Sequence, residues 1–485
     1  MKGQETVTIE GLRQGMEVES HSIDYIPRNE RHARLSSQGP FWFLGNLHFF
    51  TVSIGFVGPG MGLSAGWTTL AGALGIMFGT LFMAFHGSQG PEMGLPQMIQ
   101  SRAQFGYRGV VLALMATLFV FMGFNVVNVA LIMDGVKNVF GVNPVIVGTC
   151  VILLGATMSI YGHDFLHKAF RWALYLSLPL YAFVTVWLMF GLPKGTGTPV
   201  PTLGFAWTAF VTQFAVSASY NIAYAPYVSD YSRYLPENTS RKKLITAVFL
   251  GASLSGSWMI GLGAWLAQEL KASDALVAIH HLGSAISPGF GSVLVIASIV
   301  GFLPQIGLGT YSAMLTCLTA ADSFKPIRPT RNLRISAILG LSVVLVVCML
   351  SVRGNGIALL NTLLLFMLYF LVPWTAVNLV DYFFVRKGRY AISHFFTPDG
   401  IYGRWQLRGI YSYLIGFVAM IPFFSVVEDG KEVFVGYFAR LISGVDIAWL
   451  VGLFVSGTTY LLFARSLDLR SEEEVIRSDA RLRRD

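Results

Sequence analysis

Residues 90–109, GPEMGLPQMIQSRAQFGYRG, form a polar stretch punctuated by glycine and proline between two long apolar runs, 66–88 and 109–137. Glu92, Arg102 and Arg108 bring charge where the flanks carry almost none. Each flank is long enough to cross a hydrocarbon layer of about 30 Å. The stretch between them therefore reads as a loop that a membrane protein keeps on one side of the bilayer.

The rest of the chain repeats this pattern. Hydrophobic residues make up 54% of the 485 and charged residues 12%, whereas a soluble globular domain carries about a quarter charged. Buried helices of a soluble protein would show charge along one face, and these runs do not. The reading is an all-α polytopic membrane protein of about 12 transmembrane helices, each run close to the ~20 residues a crossing needs. They fall at 40–62, 66–88, 109–137, 144–161, 169–190, 204–227, 244–268, 287–319, 335–352, 357–383, 409–427 and 444–464. A segment at 1–39 precedes them and a charged tail at 465–485 follows. The first 35 residues are polar, and no cleavable signal peptide is visible.

Loop charge alternates along the chain. Basic residues precede span one (Arg28, Arg31, Arg34) and follow span two (Arg102, Arg108), span four (Lys168, Arg171), span six (Arg233, Arg241, Lys242, Lys243), span eight (Lys325, Arg328, Arg331, Arg334) and span ten (Arg386, Lys387, Arg389, Arg404, Arg408). The other loops carry little, such as Lys137 and Lys194, or mix Glu428, Asp429 and Glu432 with Lys431 and Arg440. The positive-inside bias puts both termini in the cytoplasm of a cell-membrane (inner-membrane) protein. The net charge of +8 is spread over these short loops, so it belongs to topology and not to nucleic acid. Cys150, Cys317 and Cys348 all lie in apolar runs without metal-ligand spacing. Nor do His48, His86 and His163 stand in a metal-ligand or nucleophile–base pattern, so the chain is not read as an enzyme and no cofactor is implied.

Helices broken by glycine, proline and polar residues are tolerated at membrane depth only where they line a cavity, and transporters use such breaks to hold a solute. Span one contains Asn46, His48, Thr51, Ser53 and Gly55; span six contains Ser217, Ser219, Tyr220, Asn221, Tyr224 and Pro226. These are the first spans of two five-helix halves, 40–190 and 204–383, and matching interruptions point to an inverted repeat, with 409–464 as two extra helices. Span three contains Phe121, Phe124, Asn125 and Asn128; Phe121, Asn125 and Asn128 share a helical face, and an aromatic one turn from a carboxamide suits a flat polar ring. Span eight is interrupted at Gly301, Pro304, Gln305, Gly307 and Gly309. His48 reads first as a neutral helix contact and second as a group that titrates with a coupled proton.

Four local patterns resemble one family. They are Asp24-Tyr25-Ile26-Pro27-Arg28-Asn29-Glu30-Arg31 before span one, the 90–109 loop, Asp230-Tyr231-Ser232-Arg233-Tyr234-Leu235-Pro236 after span six, and Tyr311-Ser312 in span eight. In this order they resemble the purine–cytosine permeases of the nucleobase–cation symporter family. The resemblance implies the inverted-repeat fold of the sodium-coupled leucine transporter, with broken spans one and six. It implies import of a nucleobase or related planar heterocycle by alternating access, driven by a proton or sodium gradient. Substrate-binding positions carried over are Ser53, Phe121, Asn125, Tyr220, Asn221 and Tyr224, joined by Gln305. A coupling-ion position falls at Phe49, Val52, Gly301, Pro304 and Gln305.

Two departures stand out. Phe121 occupies a position commonly held by tryptophan, and Pro304-Gln305 replaces the Ser/Thr pair of sodium-dependent relatives. A hard cation prefers oxygen ligands, so the proton is slightly favoured. A hydantoin, allantoin or vitamin-precursor permease, or a non-transporting sensor, is the alternative reading. The partners implied are the small heterocycle and the lipid bilayer; nothing in the sequence fixes an oligomeric state.

Overall fold

In hydrocarbon each backbone polar group has to be satisfied within the protein, so the chain is helical almost throughout. The computed structural model describes residues 24–191, 204–272, 274–325, 327, 330–351, 356–428 and 431–482. Lys194, Arg328, Asp429 and residues 1–23 of the N-terminal segment lie outside them.

Eight described helices are long and apolar enough to cross a membrane: 65–93, 111–140, 144–161, 168–190, 241–270, 290–324, 331–351 and 356–385. They coincide with expected spans two to five and seven to ten. Span one is a pair, Leu35–Leu44 and Phe49–Gly60, bent by 55°. Span six is also split, into Trp207–Ile222 and Val228–Ser232 with a turn of 3₁₀ helix between. Spans eleven and twelve are shorter, Leu407–Met420 and Ala448–Ala464.

Three features differ from the sequence reading. Span eight is not interrupted: one helix runs from Phe290 to Phe324 through Pro304. It packs against spans three, four and five, which hold the helix together across the hydrogen bond the proline lacks. The loop after span eleven forms an antiparallel hairpin, Ser425–Glu428 with Lys431–Val435, bulged at Val426/Val427, so the fold is not wholly α. A helix at Ala275–Ser284, capped by the Asp274 carboxylate on Val277 N–H at 2.9 Å, joins spans seven and eight.

Packing divides the spans into groups. Span two lies against spans six and seven, and span seven also against both halves of span one; spans three, four, eight and nine pack on one another. Gly79 permits the first group to close, because a Cβ there would overlap the Ala218 carbonyl of span six. Gly55 does the same between spans one and seven, where it meets the Ile260 carbonyl.

The 90–109 stretch folds into three short helices, Gly90–Met93, Gln97–Gln100 and Arg102–Phe105. Gln97, Gln100, Ser101, Arg102 and Gln104 are all buried. Arg102 pairs with Asp322 at the end of span eight (2.8 Å) and donates to the Phe395 carbonyl (2.8 Å). Gln97 N–H donates to Asp230 in the second half of span six (2.9 Å), and Gln104 donates to Asp381 at the end of span ten (2.6 Å). The stretch is a staple across three spans.

Asp381 is fully buried and also accepts from Arg386 (2.6 Å), Tyr390 (2.9 Å) and Tyr460 (2.9 Å). Arg386 reaches on to Glu472 of the C-terminal helix Leu469–Leu482 with two bonds of 2.9 Å. Breaking a buried pair strands the remaining charge, whereas an exposed pair contributes little. Glu472→Ala is expected to cost about 2 kcal/mol of folded stability. Glu473→Ala, which loses only the exposed Arg389 and Arg477 pairs, should cost under about 1 kcal/mol. Thermal unfolding of detergent-purified variants measures both.

Candidate functional site

The two broken helices meet. Between the halves of span one, residues 45–48 leave the helix, and His48 adopts extended backbone (φ −160°, ψ 166°). The freed Gly45 carbonyl becomes an acceptor facing span six. Tyr224 hydroxyl donates to it at 2.7 Å and His48 Nε2 at 2.8 Å, with Tyr220 hydroxyl at 3.3 Å. A carbonyl only accepts, so His48 carries its proton on Nε2. The Tyr220 and Tyr224 hydroxyls stand 2.8 Å apart, and Thr51 donates to Tyr220 at 3.0 Å.

Beside this cluster lies a cavity lined by His48 and Phe50 of span one, Phe124 and Asn128 of span three, Tyr220 and Tyr224 of span six, and Phe302 and Gln305 of span eight. Four spans thus supply aromatic or carboxamide groups. Phe50 and Phe302 face each other nearly parallel, 8° apart at 6.4 Å between centroids, and Tyr220 lies 5.4 Å from Phe50. Gln305 Nε2 donates to Tyr224 at 3.4 Å, and its Oε1 has no partner among the described residues. Asn128 is 3% exposed. The cavity holds about 10 Å³, room for about one water. The conformation is therefore closed around the site, and a planar ring enters only when the spans separate.

Of the residues expected at the site, Tyr220, Tyr224 and Gln305 line this cavity. The others point elsewhere. Asn125 donates to Thr310 Oγ1 (3.0 Å) and the Ile306 carbonyl (3.3 Å), joining span three to span eight. Asn221 donates to Thr80 Oγ1 at 2.6 Å, joining span six to span two. Phe121 packs on Tyr227 at 5.0 Å and lines a separate gap with Asp230 and Ser312. Ser53 donates to the Phe49 carbonyl of its own helix at 3.0 Å.

The expected ion positions lie on two helices that touch, spans one and eight, whose Phe49 and Phe302 rings stand 4.8 Å apart. The Phe49 carbonyl accepts from Ser53, and the Val52 carbonyl accepts from Gly55 N–H at 2.9 Å and presses on Gly263 of span seven. Gly301 faces Ser177 of span five, and Gln305 faces Tyr224. The sequence reading singled out Phe124, Asn128 and His48 as polar or aromatic features of their spans without assigning them to the site. It passed over Phe50 and Phe302, which carry no signal apart from lying near the break of span one and near Pro304.

Two split spans that cross at a closed cavity of rings and amides define a membrane transporter of the broken-helix type. A family profile described as permease for cytosine/purines, uracil, thiamine, allantoin matches residues 25–452. The chain belongs to that family. It is 34% identical over 456 residues to YxlA of Bacillus subtilis (strain 168), which carries the name of a purine-cytosine permease, covering 93% of this chain and 96% of that one. It is 21% identical over 489 residues to the purine-cytosine permease fcyB of Emericella nidulans, covering 93% and 89%. Its fold is similar to that of Mhp1, a nucleobase-cation-symport-1 family transporter solved closed with bromovinylhydantoin bound. There the TM-score is 0.69 at 18% identity over 92% of this chain and 95% of that one. The chain is a multi-pass permease with this LeuT-like fold and not an enzyme.

Because Asn221 and Tyr224 hold broken backbone and neighbouring spans, Asn221→Ala and Tyr224→Phe are each expected to lower folded stability by about 1 kcal/mol. Melting temperatures of the purified variants without added ligand check this.

Proposed function

We propose that this permease imports a nucleobase or closely related planar heterocycle across the cytoplasmic membrane, with both termini inside. Spans one, two, six and seven rock against spans three, four, eight and nine, the groups into which the packing divides the chain. The observation that carries the reading is the central cavity, where rings from four spans surround the carboxamides of Gln305 and Asn128. Aromatic faces stack on a flat ring and amides read its edge, since each amide both donates and accepts. The names of YxlA and fcyB favour a purine or cytosine. Hydantoin is the second reading, favoured by the bromovinylhydantoin bound to Mhp1.

For the coupling ion we place the proton ahead of sodium. Pro304-Gln305 offers no hydroxyl pair, and the carbonyls of Phe49 and Val52 already have donors. His48, 5% exposed and bonded at the break, is the titratable group in the cavity wall. Protonation there would add a donor at Nδ1, which lies 3.4 Å from Thr51 Oγ1.

Radiolabelled cytosine, hypoxanthine, uracil and hydantoin, supplied to proteoliposomes under separately imposed proton and sodium gradients, test the reading. Accumulation of at least one under an inward proton gradient is expected; uptake answering to neither gradient refutes symport. Gln305→Leu and Asn128→Leu should each weaken binding of the transported compound by about 1–3 kcal/mol. Unchanged affinity in well-folded variants would remove the cavity from the mechanism.

A further inference from the structure

A second cavity takes no part in the site above. It lies beneath the break of span one, with a volume of about 180 Å³, against about 10 Å³ for the central one. Gln38, Phe41 and Leu44 of span one, Phe170 and Arg171 of span five, and Tyr231 in the second half of span six line it. The two cavities are neighbours along the chain, because Leu44 lines the lower one and the Gly45 carbonyl belongs to the upper. Trp42, 2% exposed, stands between them, its ring 5.8 Å from Tyr224 and 5.7 Å from Tyr231.

The lining has a definite chemistry. The Phe41 ring lies 5.8 Å from Phe170 and 4.8 Å from Tyr231, so aromatic surface forms the wall. Gln38 is 4% exposed, and its Oε1 has no hydrogen-bond partner among the described residues. A buried acceptor left unmade is costly, and a ligand N–H would satisfy it. Arg171 is exposed at the rim, where its guanidinium can donate to a carbonyl oxygen. Stacking faces, one acceptor and one multiple donor match a planar heterocycle that carries N–H and C=O on its edge.

We propose that this cavity is a release site, in which the transported heterocycle rests after it leaves the central cavity towards the side of the termini. The proposal builds on the function given above. Two stations separated by Trp42 let the central cavity close behind a departing ring before that ring reaches water. Arg171 and Gln38 then set the affinity seen from the inner side, while the central groups set it from the outer side.

The test is substrate exchange in right-side-out and inside-out vesicles, using cytosine, hypoxanthine, uracil and hydantoin as probes, with Arg171→Gln and Gln38→Leu. Arg171 is on the surface, and leucine at position 38 removes an orphaned acceptor, so both variants should fold. In each, KM measured from the inner side is expected to rise about 5–10-fold, the effect of one lost hydrogen bond, with KM from the outer side within about twofold of wild type. KM unchanged on both sides, or raised equally on both, overturns the release site and leaves the transport reading standing. Failure of the wild type to move any of the four probes would instead overturn the transport reading, and the release site with it.

Discussion

One carbonyl organises the centre of this protein. Gly45 stands where span one stops being a helix, and its oxygen has no intrahelical donor to meet it. Inside hydrocarbon such a group costs several kcal/mol unless partnered. Span six answers with Tyr224 and Tyr220, and span one itself with His48. The same side chains form a wall of the cavity. Closing the break and building the site are thus one event. The closed state is stabilised by groups that a ligand would compete for, which is what an alternating machine requires.

Away from the centre, constraint comes from short polar segments at the ends of the spans. The motifs that carry the family resemblance converge there. Ile26 N–H donates to the Gly94 carbonyl at 3.0 Å, and Arg31 donates to the Pro91 carbonyl at 2.7 Å. Arg233 donates to the Asp24 carbonyl at 3.1 Å, and Asp230 accepts from Gln97 N–H. Gly94 is left-handed (φ +63°), and a Cβ there would overlap the Arg31 guanidinium. Three stretches far apart in the chain therefore form one joint. Its geometry tolerates few residue types, which is why these stretches can be recognised in a single sequence while the apolar runs cannot.

Span positions were legible because a hydrocarbon layer imposes a length, and the breaks were legible because glycine and polar residues cluster where helices stop. Rotation about each helix axis was not. Phe121, Asn125 and Asn128 share a face by spacing alone, yet the cavity takes Phe124 and Asn128. A step of one residue turns a side chain by about 100°, enough to swing Asn125 from the cavity to Thr310 of span eight. Asn221 next to Tyr220 is the same case, with one residue facing span two and its neighbour the cavity. Residue type suggests what a side chain can bond; packing between helices decides whether that partner is a ligand or another span. Span eight failed in the opposite sense, since Pro304 signalled a break that its neighbours suppress.

The C-terminal helix adds a dimension of time. Asp381 and Arg386 are buried at the foot of span ten and the half-buried Glu472 joins them there, and this last member is synthesised some 86 residues after Arg386. Until the ribosome has released that helix, a guanidinium at the membrane edge lacks one of its two carboxylates. The foot of span ten is therefore complete only once the helix Leu469–Leu482 has docked, and a chain clipped before it keeps a guanidinium short of a carboxylate.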